Sequence, residues 1–310
     1  MDERVLVTGG CGFIGANLIP LLVGNGYQVR VLDNLSRGSV AYLQNISVDI
    51  HQGDIRDGQV VKKSLGDVDG VIHLAAFGSV VESVQSPEEN FDVNVCGTFT
   101  VLNECRKAGI EKVIFSSTGG ALIGNAEPPV NESSVPRPIS PYGSSKLCCE
   151  AYCSSFAHSY DMSITALRFA NVIGPISEHK KGAVTAFIKS IMSGEKITIY
   201  GDGSATRDFL YVGDLCQGIV SAYKKSLDGF NPIHLASGQA VPVKELAKLI
   251  AKASGQPDYP IEFLGKRIGE VERNFAKNDF AKSVLGFIPS TSLKKSIDIT
   301  WNWFEDYLAK

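Results

Sequence analysis

Thr8-Gly9-Gly10-Cys11-Gly12-Phe13-Ile14-Gly15 follows the apolar run Arg4-Val5-Leu6-Val7 and leads into Ala16-Asn17-Leu18-Ile19-Pro20-Leu21-Leu22. A short β-branched run, then glycines, then apolar residues at helical spacing reads as strand, tight turn and helix. That arrangement aims backbone N–H groups at a pyrophosphate. Gly9 makes the turn, Gly12 lets the backbone approach the phosphates because no Cβ intervenes, and Gly15 lets the helix pack closely on the strand. Glycines alone suit an ordinary structural turn equally well, so the next strand supplies the test. Val29-Arg30-Val31-Leu32-Asp33 ends in an acid about 20 residues on, where a ribose hydroxyl needs an acceptor. Together the two segments specify a dinucleotide site. The Asp33 carboxylate repels a 2′-phosphate, which favours NAD; Arg37, close by, is the residue that keeps NADP as the lesser alternative.

Working outward, strand patterns recur near 4–8, 28–33, 48–52, 69–74, 112–116, 163–169 and 232–236, with helical patterns between most of them. Continuous apolar runs such as Val71-Ile72-His73-Leu74-Ala75-Ala76 predict strands covered on both faces. The expected fold is therefore α/β: a Rossmann-like doubly wound parallel sheet of about seven strands. Ligands should gather at the carboxyl ends of those strands, where Asp33, Asp54, Ala75, Ser116 and Asn171 fall. After Arg168 the strands shorten and turns multiply. Residues 1–170 plus 213–238 are expected to form the NAD-binding domain. Residues 171–212 plus 239–310 should form a smaller, discontinuous C-terminal lobe facing the strand ends across a cleft.

Bulk composition narrows the function classes. The chain has 310 residues, 44% of them hydrophobic, and a formal net charge of −3. That charge gives no long-range attraction for nucleic acid or an anionic membrane, so neither partner is expected. Met1-Asp2-Glu3-Arg4 runs into the first strand with no basic n-region, and no apolar run reaches membrane-spanning length. Seven cysteines without a Cys-x-x-Cys pair suggest neither a disulfide framework nor a zinc site, and a cytoplasmic location is the expectation. Five scattered histidines lack ligand spacing, so no metal site is predicted.

The chemistry centres on Ser140-Pro141-Tyr142-Gly143-Ser144-Ser145-Lys146, which opens a helical pattern. Tyr142 and Lys146 stand one turn apart and share a face. A free tyrosine, with a pKa near 10, is a poor base at neutral pH. A neighbouring ammonium and a positive nicotinamide ring favour tyrosinate, which makes Tyr142 the expected acid/base and Lys146 its partner. Ser116-Ser117-Thr118 closes the preceding strand pattern. A hydroxyl there can bond the substrate hydroxyl that loses its proton; Thr118 is the first choice and Ser117 the second, while Ser116 fits local turn-capping better.

Those residues carry a resemblance. Gly9…Gly12…Gly15, Asp33-Asn34, Asp54-Ile55, Leu74-Ala75-Ala76, Ser79-Val80-Val81-Glu82-Ser83, Asn94-Val95-x-Gly97-Thr98, Tyr142-x-x-x-Lys146, Arg168-Phe169-x-Asn171, Gly201-Asp202-Gly203, Arg207-Asp208-Phe209 and Arg267-x-Gly269-Glu270 together resemble the extended short-chain dehydrogenase/reductases, in particular nucleotide-sugar 4-epimerases of the UDP-glucose type. The resemblance spans nearly the whole chain. It implies NAD as the cofactor, held also by Phe13, Ile14, Asn34, Leu74, Ala75, Ala76, Asn94 and Ser116, with Asp54 and Ile55 flanking the adenine. It implies that Tyr142 takes the sugar 4-OH proton while the C4 hydride passes to NAD, and that the 4-keto sugar then turns over and takes the hydride back on its other face. Asn171 would contact the sugar or diphosphate, Arg207 and Arg267 would clamp the diphosphate, and Ser79, Glu270 and Asn274 would complete the UDP-sugar site. A homodimer through helices near 87–108 and 142–160 is implied in the same way.

Two departures bear on substrate. The family's Tyr-Gly after the catalytic hydroxyl is Ile123-Gly124 here, so a packing role survives and a hydroxyl contact does not. The position seven beyond Arg267 resembles the family's size gate for the sugar 2-substituent, and here it is Asn274. A side chain smaller than Tyr leaves room for N-acetyl. A 4,6-dehydratase needs an acidic pair where Gly119-Gly120 stands. A decarboxylase or a UDP-glucuronate 4-epimerase reuses the same Thr, Tyr and Lys. Glu178-His179-Lys180-Lys181 could set a cation near a C6 carboxylate, with Glu178 opposing it. A non-catalytic NAD sensor would have no need of the base.

Overall fold

The computed structural model describes residues 3–266 and 271–308. Its main sheet joins β1 (Arg4–Thr8), β2 (Gln28–Asp33), β3 (Asp49–Gln52), β4 (Gly70–His73), β5 (Lys112–Thr118) and β6 (Ser163–Phe169). Of the strands that follow, β7 (Asn171–Ile173), β8 (Ile197–Tyr200), β9 (Thr206–Arg207) and β10 (Phe209–Tyr211) lie outside it, and β11 (Phe230–Leu235) returns to it. The order is β11-β6-β5-β4-β1-β2-β3, and every pairing is parallel. Two further short strands, β12 (Val241–Pro242) and β13 (Ile261–Leu264), pair with β9 and β8 respectively.

The apolar runs explain the layering. Val5, Leu6 and Val7 in β1 are all fully buried although successive side chains point to opposite faces. Val5 and Val7 join the core under helices Phe13–Gly24 and Val212–Lys225, while Leu6 joins the one under Gly58–Ser64, Gly97–Ala108 and Pro141–Tyr160. A strand buried on both faces needs helices on both sides, which is the doubly wound arrangement. The chain leaves β1 toward β2 and β3 on one side and resumes at β4 on the other. A crevice therefore opens at the carboxyl ends of β1 and β4. The turns after these strands touch there: a Cβ on Gly9 would lie 2.7 Å from the Ala75 nitrogen.

A third core gathers helices Ala183–Met192, Val243–Ala253 and Leu293–Leu308 around β8, with Phe187, Ile188, Leu246, Trp301 and Phe304 buried in it. Residues 279–287, expected in this smaller lobe, instead send Ala281, Leu285 and Phe287 into the first core. The helix expected over 87–108 is also interrupted. Helices Pro87–Phe91 and Gly97–Ala108 flank a π-helical turn at Asp92–Cys96, which turns Asn94 inward.

Candidate active site

One cavity of about 1170 Å³ runs along the strand ends. That exceeds the volume usual for a single small ligand and leaves room for a dinucleotide and a second molecule. Its floor begins at the glycine turn. Gly9 takes φ +70°, a Cβ on Gly15 would lie 2.5 Å from the Gly10 Cα, and Gly12, where a Cβ would meet the Gly9 carbonyl oxygen at 3.3 Å, lines the cavity. Helix Phe13–Gly24 starts at Gly12 with no side-chain cap and no acid in its first turn. Its first N–H groups, with Phe13 and Ile14 in the cavity wall, are left for an anion. The turn thus fits a pyrophosphate by backbone shape and by donor chemistry.

At the end of β2, buried Asp33 accepts from the Cys11 nitrogen at 2.9 Å and the Leu35 nitrogen at 2.8 Å, fixing turn and loop together. Asn34 donates to Asp54 at 3.1 Å, and Arg56 grips the same carboxylate at 2.7 Å. The Arg56 hydrogen bond holds Asp54 well below the ordinary carboxylate range. Asn34, Asp54 and Ile55 all border the cavity. Arg37 is engaged: it donates to Glu82 at 2.8 Å and lies over the Phe77 ring. The residue that kept NADP as an alternative therefore already has a carboxylate partner.

Leu74, Ala75 and Ala76 form the wall beyond β4. Ser79 borders the cavity but also caps helix Val80–Gln85, accepting from the Glu82 nitrogen at 3.2 Å. Asn94 stands behind the wall rather than in it. Its side chain accepts from the Phe77 nitrogen at 2.8 Å and donates to Ser145 at 2.9 Å, so the amide braces the Phe77 loop against helix Pro141–Tyr160.

That helix starts at Ser140, whose hydroxyl accepts from the Gly143 nitrogen, with Pro141 in its first turn. A Cβ on Gly143 would overlap the Ala121 carbonyl, so glycine lets the helix abut the segment after β5. This brings Tyr142 beside Thr118, whose hydroxyl acts on the phenol and favours its ionised form. Thr118, Tyr142, Lys146 and Ser116 all border the cavity. The Lys146 ammonium does not act on the phenol as the sequence led us to expect. It donates to the Ser116 carbonyl at 2.7 Å and lies over Phe115. Burial pushes the Tyr142 phenol up to about 12, against the downward pull of Thr118, and burial pushes Lys146 down.

Ser117, the second choice for the catalytic hydroxyl, has a partner of its own. It donates to Glu150 at 2.5 Å, and Glu150 is paired with Arg168 at 2.8 Å in full burial. Ser117 borders the cavity as Thr118 does, but its hydroxyl is engaged by Glu150. The sequence held a signal for this pair: Tyr142, Lys146 and Glu150 recur every fourth residue on one helix face.

From the smaller lobe, Asn171, Arg207 and Asn274 reach the cavity. Asn171 donates to the Asp208 carbonyl at 3.0 Å, and Arg207 donates to the Thr206 carbonyl at 2.9 Å. Buried Asp208 accepts from the Ser237 nitrogen, the Ser237 hydroxyl and the Gly238 nitrogen, tying β10 to the loop after β11. Asn274 is buried against Gly120, where a Cβ would lie 2.7 Å from its amide nitrogen. Ile123 is fully buried, in keeping with a packing role. Arg267 and Glu270 lie outside the described residues. The cysteines are free, and no metal-binding cluster occurs among the described residues. No helix among them is long and apolar enough to cross a membrane.

Known proteins share this arrangement. The family model for the NAD dependent epimerase/dehydratase family matches residues 5–236. A putative UDP-glucose 4-epimerase of Methanocaldococcus jannaschii is 36% identical, the match covering 97% of this chain and 98% of that protein. The crystal structure of UDP-glucose 4-epimerase with UDP-glucose from Thermotoga maritima superposes with a TM-score of 0.94 at 35% identity, covering 99% of this chain and 100% of the other. A UDP-N-acetylglucosamine 4-epimerase from Methanobrevibacter ruminantium, in complex with UDP-N-acetylmuramic acid, gives 0.92 at 32% identity, with 99% of each chain covered. The glycine turn, Asp33, Tyr142 and Lys146 thus occur in one cavity of a chain matched over nearly its full length, and the chain belongs to the NAD dependent epimerase/dehydratase family.

Proposed function

We propose that this protein interconverts the C4 epimers of a UDP-hexose, UDP-glucose/UDP-galactose or their N-acetyl counterparts. The observation that carries the reading is that Thr118 and Tyr142 line one cavity with the glycine turn, the Thr118 hydroxyl acting on the phenol. A bound NAD would supply the acceptor, and then the donor, of the sugar C4 hydride. Tyr142 Oη takes the proton of the C4 hydroxyl and later returns it, while Thr118 Oγ1 holds that hydroxyl in line for transfer. Lys146 holds the helix bearing Tyr142 against β5, and the positive ring of a bound NAD would favour tyrosinate. Gly9, Gly12, Gly15 and Asp33 are the residues that would hold the dinucleotide; Asn171 and Arg207, with Arg267 from the sequence, are assigned to the UDP moiety.

Dehydration is disfavoured by the site. The two positions after Thr118 are Gly119 and Gly120, facing His234 and Asn274 at contact distance, which leaves no carboxylate and no room for one. Recognition of a glucuronate C6 carboxylate also loses its support. Glu178 accepts from Tyr42 at 2.6 Å, Lys181 pairs with Glu82 at 2.7 Å, and Lys180 lies over Phe13. The test is to supply UDP-glucose and UDP-N-acetylglucosamine to purified protein without added NAD and follow the C4 proton by NMR. The 4-epimer is expected; a 4-keto-6-deoxy product means a dehydratase, and no turnover of any nucleotide sugar returns the protein to the NAD-sensor reading. The two-domain division at 171–212 and 239–310, cytoplasmic location and a homodimer through the helices near 87–108 and 142–160 belong to this same reading.

A further inference from the structure

Lys180 comes from the smaller lobe yet reaches the dinucleotide turn. Its segment is pinned back on the sheet domain from several directions. Asn17 donates to the Pro175 carbonyl at 3.1 Å, Tyr42 to Glu178 at 2.6 Å, and Lys181 pairs with Glu82 at 2.7 Å. Within it, Ser177 donates to the Gly174 carbonyl and the Lys180 nitrogen to the Ser177 carbonyl. Ile176 is held at φ +65°, a conformation a β-branched residue adopts only when its surroundings impose it. The segment is therefore built rather than draped.

Its charges are unevenly matched. Lys181 and Arg37 share Glu82, and Glu178 is engaged by Tyr42 with His179 3.6 Å away. Lys180 pairs with no carboxylate among the described residues. Its ammonium lies 5.5 Å from the centroid of the Phe13 ring, the residue that opens the phosphate-facing helix, and it lines the cavity. Lys180 is half-buried, and its partial burial together with the neighbouring Arg37 disfavours the charged form when no counter-charge is present. The glycine turn beside it supplies N–H donors but no cation of its own.

We propose that Lys180 is the counter-ion for the dinucleotide pyrophosphate, delivered across the cleft by the smaller lobe, so that cofactor binding neutralises a charge the folded protein otherwise leaves unpaired. The inference rests on NAD binding by this cavity and not on the epimerase reading.

The test is equilibrium binding to protein stripped of nucleotide. Replacing Lys180 by Met keeps length and removes charge. Lys180→Met should weaken NAD and ADP-ribose roughly 10- to 100-fold, the value of a charge-assisted hydrogen bond. It should leave adenosine, which lacks the diphosphate, within about two-fold by the same reasoning. Lys180→Arg should retain most of the affinity. UDP-glucose binding to the NAD-loaded protein should not change. The melting temperature gives an independent readout: Lys180→Met should raise that of the stripped protein and shrink the upward shift that NAD causes. Equal loss for adenosine and ADP-ribose, or intact NAD binding with weakened UDP-glucose, would overturn the assignment. Because no turnover is measured, absence of epimerase activity leaves this result standing.

Discussion

Lys146 Nζ donates to the Ser116 carbonyl oxygen at 2.7 Å, which ties the helix bearing Tyr142 to the strand ending in Thr118. Two elements distant in sequence are thereby locked so that a phenol and a hydroxyl meet. Asn94 adds a second tie through Ser145, and the Tyr142 nitrogen donates to Ser83 at 3.1 Å. The site is rigid because its supports are buried hydrogen bonds, not because its side chains are large.

Tyr142→Phe removes the proton carrier without opening a cavity. Turnover should fall by roughly 10²- to 10⁴-fold, with NAD content and melting temperature nearly unchanged. Thr118→Val should cost less, roughly 10- to 100-fold, the value of one hydrogen bond to a developing charge. Steady-state kinetics with UDP-glucose, beside an absorbance measurement of bound nucleotide, checks both; a normally active Tyr142→Phe protein removes the tyrosine from its role.

The Glu150–Arg168 pair is buried and shared with Ser117, so its members are not interchangeable with surface ion pairs. Arg168→Leu leaves Glu150 buried and unpaired and should destabilise the fold by about 3–5 kcal/mol. Arg168→Leu combined with Glu150→Leu should recover much of that loss. Urea unfolding of the single and double variants measures the difference.

His73 and His234 give the fold an acid sensitivity. Burial pushes each imidazole down to about 3; His73 also feels Lys146, and His234 feels Arg168. Because the folded values lie below the ordinary one, the unfolded chain takes up protons first as pH falls. Their stabilising contribution is complete above about 6.5 and drains away from there down to about 3. At pH 5 each should cost about 2 kcal/mol relative to neutral pH. Melting temperatures from pH 8 to 5 should show this, and His234→Asn should remove about half of the histidine-linked fall. A flat profile would mean that these rings are solvated.

Asn274 faces Gly120, two residues from Thr118, where the sugar would lie. Asn274→Tyr should fill that corner and lower kcat/KM for UDP-N-acetylglucosamine relative to UDP-glucose by roughly 10- to 100-fold, the usual discrimination of a pocket wall against extra bulk. An unchanged ratio would place the sugar 2-substituent elsewhere.

The amino-acid sequence alone determined the parallel sheet, the glycine turn with Asp33 at the end of the next strand, and the Tyr142–Lys146 face. All three depend on short-range regularities: β-branched runs, glycine where a Cβ would collide, and one helical turn between two side chains. What a polar group is bonded to was decided only by tertiary structure. Ser117 and Thr118 are neighbours in sequence, and only β5 in its place shows the Ser117 hydroxyl engaged by buried Glu150 while Thr118 stands beside Tyr142. Lys146 is spent on a strand carbonyl, Asn94 braces a loop from behind the wall, and residues 279–287 cover the first core. Lys180 is 167 positions beyond Phe13, and nothing local to either predicts that they meet. Long-range pairing follows from how whole elements pack, and a hydrogen-bond donor in sequence carries no record of which distant acceptor packing will bring to it.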